Sequence, residues 1–165
     1  MQLNDIFGLD KYDEAYKFVS ENKGTTIQDI GNKKYQIVEL PKPSLEELKL
    51  AKREEINQAR DKSEQGGFEY MGKVFDSDQV SAQRISMAAQ AMALATEGTT
   101  ITWTCQDNST IDLTATDMQG LVSALAVWSN SCHEKATALK SQIDAAKTAE
   151  ELEKITWDDK PATLL

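Results

Sequence analysis

The sequence predicts a helix-rich α+β fold. It has two long amphipathic helices, a shorter core helix, two β-hairpins and a small N-terminal helix-and-hairpin module. Three stretches carry that expectation. Gly66 to Arg84 alternates turn residues, short β-prone runs and a helix cap. Pro41-Lys42-Pro43 is a stiff break between two differently patterned halves. Leu121, Leu125, Trp128, Cys132, Ala136, Leu139, Ile143 and Ala146 recur at steps of three and four, one continuous apolar stripe on a long helix.

Gly66 to Arg84 is where local chemistry dictates most. Gly66-Gly67 stops a preceding helix, and Phe68-Glu69-Tyr70 and Lys73-Val74-Phe75 flank Met71-Gly72, a two-residue hairpin loop. That register sets Phe68 across from Phe75 and Tyr70 across from Lys73. Asp76-Ser77-Asp78 then offers acceptors to the free N–H groups of a new helix.

Along the chain, residues 10–22 form an amphipathic helix with Asp10 as cap and Tyr12, Ala15, Tyr16 and Val19 on its apolar side. Strands over 25–30 and 33–40 follow, joined at Gly31-Asn32. This module ends at residue 40, the linker occupies 41–43, and a helical domain with two hairpins spans 44–157. Ser44 and Glu47 make a capping box for a helix running to about Gln65, with Leu45, Leu48, Ala51, Ile56 and Ala59 as a narrow stripe. A core helix from Ser77 to Thr96 carries Val80, Ile85, Met87, Ala88, Met92 and Leu94. A second hairpin turns at Asp107-Asn108-Ser109; Ile101, Trp103 and Cys105 share one face of its first strand, and Ile111 and Leu113 a face of its second. The longest helix starts at Thr114-Ala115-Thr116-Asp117 and reaches about Lys147, and Thr148 to Glu151 caps a short restart. Residues 158–165 are an irregular tail.

The 165 residues suffice for a real core. A net charge of −9 disfavours nucleic acid and anionic membrane surfaces, both of which need a basic face. No basic-plus-apolar leader and no membrane-length apolar run occurs, so a cytosolic protein with Cys105 and Cys132 as reduced thiols is expected.

Catalytic readings fail on geometry. Cys132, His133 and Glu134 are consecutive on a helix and point in different directions, and His133 is the sole histidine. Asp76-x-Asp78 opens like a calcium loop but has neither the glycine nor the closing glutamate, so helix capping accounts for it. No phosphate loop or nucleophile elbow is present. The expectation is therefore no enzyme, no metal and no cofactor.

Several pieces together carry a family likeness: Arg53-Glu54-Glu55-Ile56-Asn57 with Arg60, Gly66-Gly67-Phe68-x-Tyr70-x-Gly72, Phe75-Asp76-Ser77-Asp78 with Arg84-Ile85, Trp103, Thr116-Asp117-x-x-x-Leu121, Leu139-Lys140-x-x-Ile143, and Glu150-Glu151-Leu152. Residues 52–157 thereby resemble a domain family of unknown function found in tailed-bacteriophage proteins, and the overall layout is similar to that of phage tail-fibre assembly proteins. The resemblance implies a non-enzymatic tail protein that acts by binding. It would be an assembly chaperone in the host cytoplasm or a virion tail component, with a tail-fibre or other tail protein as partner. A structural baseplate adaptor, or a ligand-binding or enzymatic domain using the Trp103 face, is the alternative. The long stripe is expected to bind in coiled-coil fashion through Leu125, Trp128, Leu139 and Ile143, with Trp157 beside it, because the Ser44 helix is a thin cover. The distal part, Leu139 and Ile143, is expected to meet a second copy or another tail protein, with an antiparallel pair with the Ser44 helix inside the chain as the alternative.

Overall fold

The computed structural model describes residues 1–158 and is α+β, with five α-helices and three small sheets. It divides into two compact units between Ser44 and Leu45. Residues 159–165, most of the expected tail, lie outside the described residues.

The N-terminal unit is a three-stranded antiparallel sheet with one helix. Its strands are β1 (Ile6–Gly8), β2 (Thr25–Gly31) and β3 (Lys34–Glu39), in the order β1-β3-β2. The first strand was not expected; three residues are too few to show a period. It pairs with β3, setting Phe7 opposite Tyr35. The turn between β2 and β3 sits one residue later than the sequence suggests. Asn32 and Lys33 both take positive φ, at 54° and 58°, and Gly31 joins an irregular end of β2. Helix α1 (Tyr12–Glu21) follows a 3-10 turn at Leu9–Lys11, so Asp10 lies inside that turn and does not cap the helix. Ala15 is its buried residue, with Phe18 and Val19 packing on Phe7 and Ile37; Tyr16, expected on the apolar side, is exposed.

The second unit is built on α2 (Leu45–Glu64) and α4 (Ala115–Ala145). Lys49 near the start of α2 donates to the Asp144 carbonyl near the end of α4, while Glu64 at the end of α2 meets Trp128 and Ser129 in mid-α4. The two helices are therefore antiparallel. Arg53 pairs with Asp144 along the same seam. With 31 residues, α4 is about 46 Å long. Thr114 caps it, accepting from the Asp117 N–H while the Asp117 carboxylate accepts from the Thr114 N–H.

The hairpin of β4 (Phe68–Tyr70) and β5 (Lys73–Phe75) has the expected register, Phe68 opposite Phe75 and Tyr70 opposite Lys73. Met71 and Gly72 supply the two positive φ angles of its turn. Asp78 caps α3 (Gln79–Met92) by accepting from the Val80 and Ser81 N–H groups. Strands β6 (Thr100–Thr104) and β7 (Thr110–Thr114) pair Ile101 with Leu113 and Trp103 with Ile111, so the two apolar sides are one face of the hairpin. That face, the first hairpin, α3 and the first half of α4 enclose a core of Phe68, Phe75, Ile85, Ala89, Met92, Cys105, Leu113, Met118 and Leu121.

A second core closes the other end. Ile56 of α2, Ala136 and Ile143 of α4, and Ala146 are covered by Leu152 of α5 (Ala149–Glu153) and by Ile155. Thr148 caps α5 through the Glu151 N–H, and the Glu151 carboxylate accepts from the Lys147 N–H. The C-terminal segment thus folds back over α4. The Lys135 ammonium lies 4.6 Å from the Trp157 ring centroid and pairs with Asp158.

Candidate interaction surface

The stripe residues expected to bind a partner are largely covered from within the chain. Ile143 is fully buried against Ile56 and the fold-back segment, so it is a core residue and presents no contact surface. Leu139 packs half-buried on the same cluster. The expectation of an open distal stripe is corrected by two covers acting together: α2 from one side, and residues 146–157 from the other. Leu125 and Trp128 are half-buried against the first core, and Trp157 docks half-buried on the second. Trp103 is also packed into the first core, with the Arg84 guanidinium 5.4 Å from its ring centroid.

The end of α2 forms a polar node. The Glu64 backbone carbonyl accepts from the Ser77 hydroxyl and from Trp128 Nε1 at 3.3 Å. Its carboxylate accepts from Ser129 and lies 3.3 Å from His133 Nε2. Ser77 in turn accepts from the Gly67 N–H at 2.8 Å, tying hairpin, α2 and α4 together. Beside this node is a cleft of about 240 Å³ lined by Glu64, Ser77, Ala82, Ser86, Val122, Leu125, Ala126 and Ser129. Its hydroxyls are spent on the fold: Ser86 donates to the Ala82 carbonyl, Ser77 and Ser129 to Glu64. Ser129 and His133 each face Glu64, one on each oxygen of its carboxylate. Burial raises the Cys132 thiol pKa above the ordinary value of 9.0, the opposite of what a nucleophile needs. Among the described residues no group of three His, Cys, Asp or Glu side chains is placed to hold a metal. No helix among them is long and apolar enough to cross a membrane.

The surface that sequence reading missed is the outer face of α3. Ile85, Ala89 and Met92 point into the core. Val80, Met87 and Leu94 were expected beside them but are 65%, 62% and 90% exposed. Val80 and Met87 are seven residues apart, two helical turns, so both lie along one line on the pole of α3 opposite the core; α3 ends at Met92, short of the expected Thr96, and Leu94 lies in the turn just past it. A helix that is apolar on both sides is normally enclosed on both. Each such side chain left in water forgoes about 1.5–3 kcal/mol of burial. The helix carries only one charged residue, Arg84, in a chain with 45 of them. Depletion of charge around exposed Met and aliphatic side chains marks the centre of an interface.

Residues 47–158 match a family described as a domain of unknown function, DUF4376. The chain belongs to that family. The DUF4376 span takes in nearly all of α2, both hairpins, α3, α4 and α5, and leaves the N-terminal sheet outside. The Glu64 node and the α3 pole both lie within DUF4376 residues. No curated protein matches the chain, and no solved structure does.

Proposed function

We propose that this protein acts by protein–protein binding, without chemistry of its own, as a tail-associated protein of a tailed bacteriophage. The observation that carries the binding reading is the α3 pole, with Val80 and Met87 exposed on a helix nearly free of charge and Leu94 exposed in the turn just past its end. The polar node supports it from the other direction, since its groups are consumed in holding α2, α4 and the first hairpin together. The tail assignment rests on the likeness of the glycine-aromatic hairpin and the Phe75-Asp76-Ser77-Asp78 run to tailed-phage proteins. Chaperone and virion component are its two forms.

Proteomics of purified particles, and of tail-fibre complexes isolated from infected cells, tests this reading. The chain is expected in one of the two fractions, and Val80→Asp/Met87→Asp is expected to remove it from there while leaving it folded. Absence of the wild type from both fractions would overturn the tail assignment. Retention of the double variant would overturn the assignment of the surface.

A further inference from the structure

We propose that the outer edge of β2, in the N-terminal unit, takes up an extended segment of another protein as an added antiparallel strand, with a cationic side chain opposite Asp29. The backbone carries the argument. In the order β1-β3-β2, β2 is an edge strand of seven residues. The Gly24 carbonyl accepts from the Leu40 N–H at 2.8 Å, and an antiparallel ladder alternates, so Thr26 and Gln28 are the residues bonded to β3. Ile37, opposite Ile27, sends its own N–H the other way, to the Asp5 carbonyl. Ile27 and Asp29 therefore turn their N–H and C=O groups to the outer edge, and among the described residues no backbone group pairs with them. These groups set the class of occupant, since another extended backbone is what matches their spacing.

The edge also lacks the usual guards. Edge strands are kept from pairing by shortness, by lysine or proline, or by a bulge. The opposite edge, β1, is only three residues long. From Thr25 to Gly31, β2 has no lysine, arginine or proline, and its one irregularity comes after Asp29, at the turn. Charge then selects the partner. Asp29 is the only charged residue of β2, and its carboxylate accepts from the Gly31 N–H through Oδ1 alone. A residue directly opposite on an added strand stands about 5 Å away, where a lysine or arginine is favoured. The β2 of a second copy has no basic residue to place there, and two chains of net charge −9 repel. The occupant is thus a strand of a different protein that carries a cation. This edge lies outside residues 47–158, so it goes beyond the α3 reading and stands or falls separately from it.

The test uses the full, unaltered chain and changes only the probe. The probe is a short peptide, blocked at both ends, of alternating valine and threonine. Valine stands opposite Ile27, and lysine replaces the valine opposite Asp29. Amide NMR of the chain titrated with this peptide is expected to show shifts and slowed hydrogen exchange at the Ile27 and Asp29 N–H groups, with a Kd of about 1 mM or tighter. A second peptide, N-methylated at the residue opposite Ile27, keeps every side chain but loses one donor. It is expected to bind about tenfold more weakly or worse. A third, with glutamate in place of the lysine, is expected to bind about threefold more weakly or worse. No change at the two amides with about 5 mM of the first peptide overturns the open edge. Equal binding of the N-methylated peptide overturns strand addition, and equal binding of the glutamate peptide overturns the cationic occupant. Protection of the same amides as the peptide-free protein is concentrated would put a second copy on the edge and overturn the different partner.

Discussion

The hydroxyl end of Tyr70 occupies the space above Gly120: a Cβ built on Gly120 would stand 2.0 Å from Tyr70 Oη and 2.8 Å from its Cζ. This explains a glycine inside a long helix, where it weakens the helix by about 1 kcal/mol relative to alanine. The missing side chain lets the first hairpin rest directly on α4. Gly120→Ala is therefore expected to lower stability, against the usual gain for that exchange. Tyr70→Phe removes the nearest atom, so Gly120→Ala in that background is expected to cost less. Urea melts of the four proteins measure the coupling. A stabilising Gly120→Ala in the wild-type background would refute the contact.

Phe75 is fully buried at the meeting point of the hairpin, α3 and α4. Phe75→Ala is expected to cost about 3–5 kcal/mol through lost transfer energy and a cavity. Denaturant melting reads it directly. A loss under about 1 kcal/mol would show a ring that contributes little to the core.

Two cap carboxylates make part of the stability dependent on pH. Hydrogen bonds from Ser81 hold the Asp78 pKa below the ordinary 3.8, and hydrogen bonds from Thr114 do the same for Asp117. A lowered folded-state pKa stabilises the fold above the unfolded value, and that contribution is lost as pH falls through the folded value. Asp78→Asn keeps an acceptor for the Val80 N–H but does not titrate. Its melting temperature is expected to fall less steeply than that of the wild type below about pH 4. Parallel curves would show that Asp78 adds no acid-sensitive stability.

Both cysteines are expected to be silent in the folded protein. Cys132 is buried with its thiol pKa raised chiefly by that burial, and Cys105 is buried in the first core. A chromogenic disulfide reagent at pH 8 is expected to label neither until denaturant is added. Rapid labelling of Cys132 in the native chain, located by peptide mapping, would mean an opening of the α2–α4 seam near its neighbour Ser63.

The legible parts of the fold were those where backbone chemistry leaves few options. Met71-Gly72 fixes the first hairpin, Asp78 and Thr114 fix two helix starts, and Thr148 fixes a third. The exposed apolar pole of α3 was not legible, because α3 is apolar on two opposite sides. Periodicity finds an apolar side but cannot tell inside from outside when there are two. By pattern alone Val80, Met87 and Leu94 are indistinguishable from the core residues Ile85 and Met92. Ile85 and Met92 on the core side share the seven-residue spacing of Val80 and Met87 on the exposed side, so spacing alone does not separate them. The closure of the distal stripe was hidden for another reason. It depends on Leu152, Ile155 and Trp157 folding back from a five-residue helix, which has almost no periodic signal.

The central claim is that the α3 pole is where this protein meets its partner. Site-specific photo-cross-linking in cells that carry the gene tests it most directly, with the cross-linker at Met87 and, as a control, at the exposed Gln58 on α2. A discrete adduct from position 87 with a tail protein identified by mass spectrometry, and none from position 58, is the predicted result. No adduct from position 87, or the same adducts from both positions, would contradict the claim.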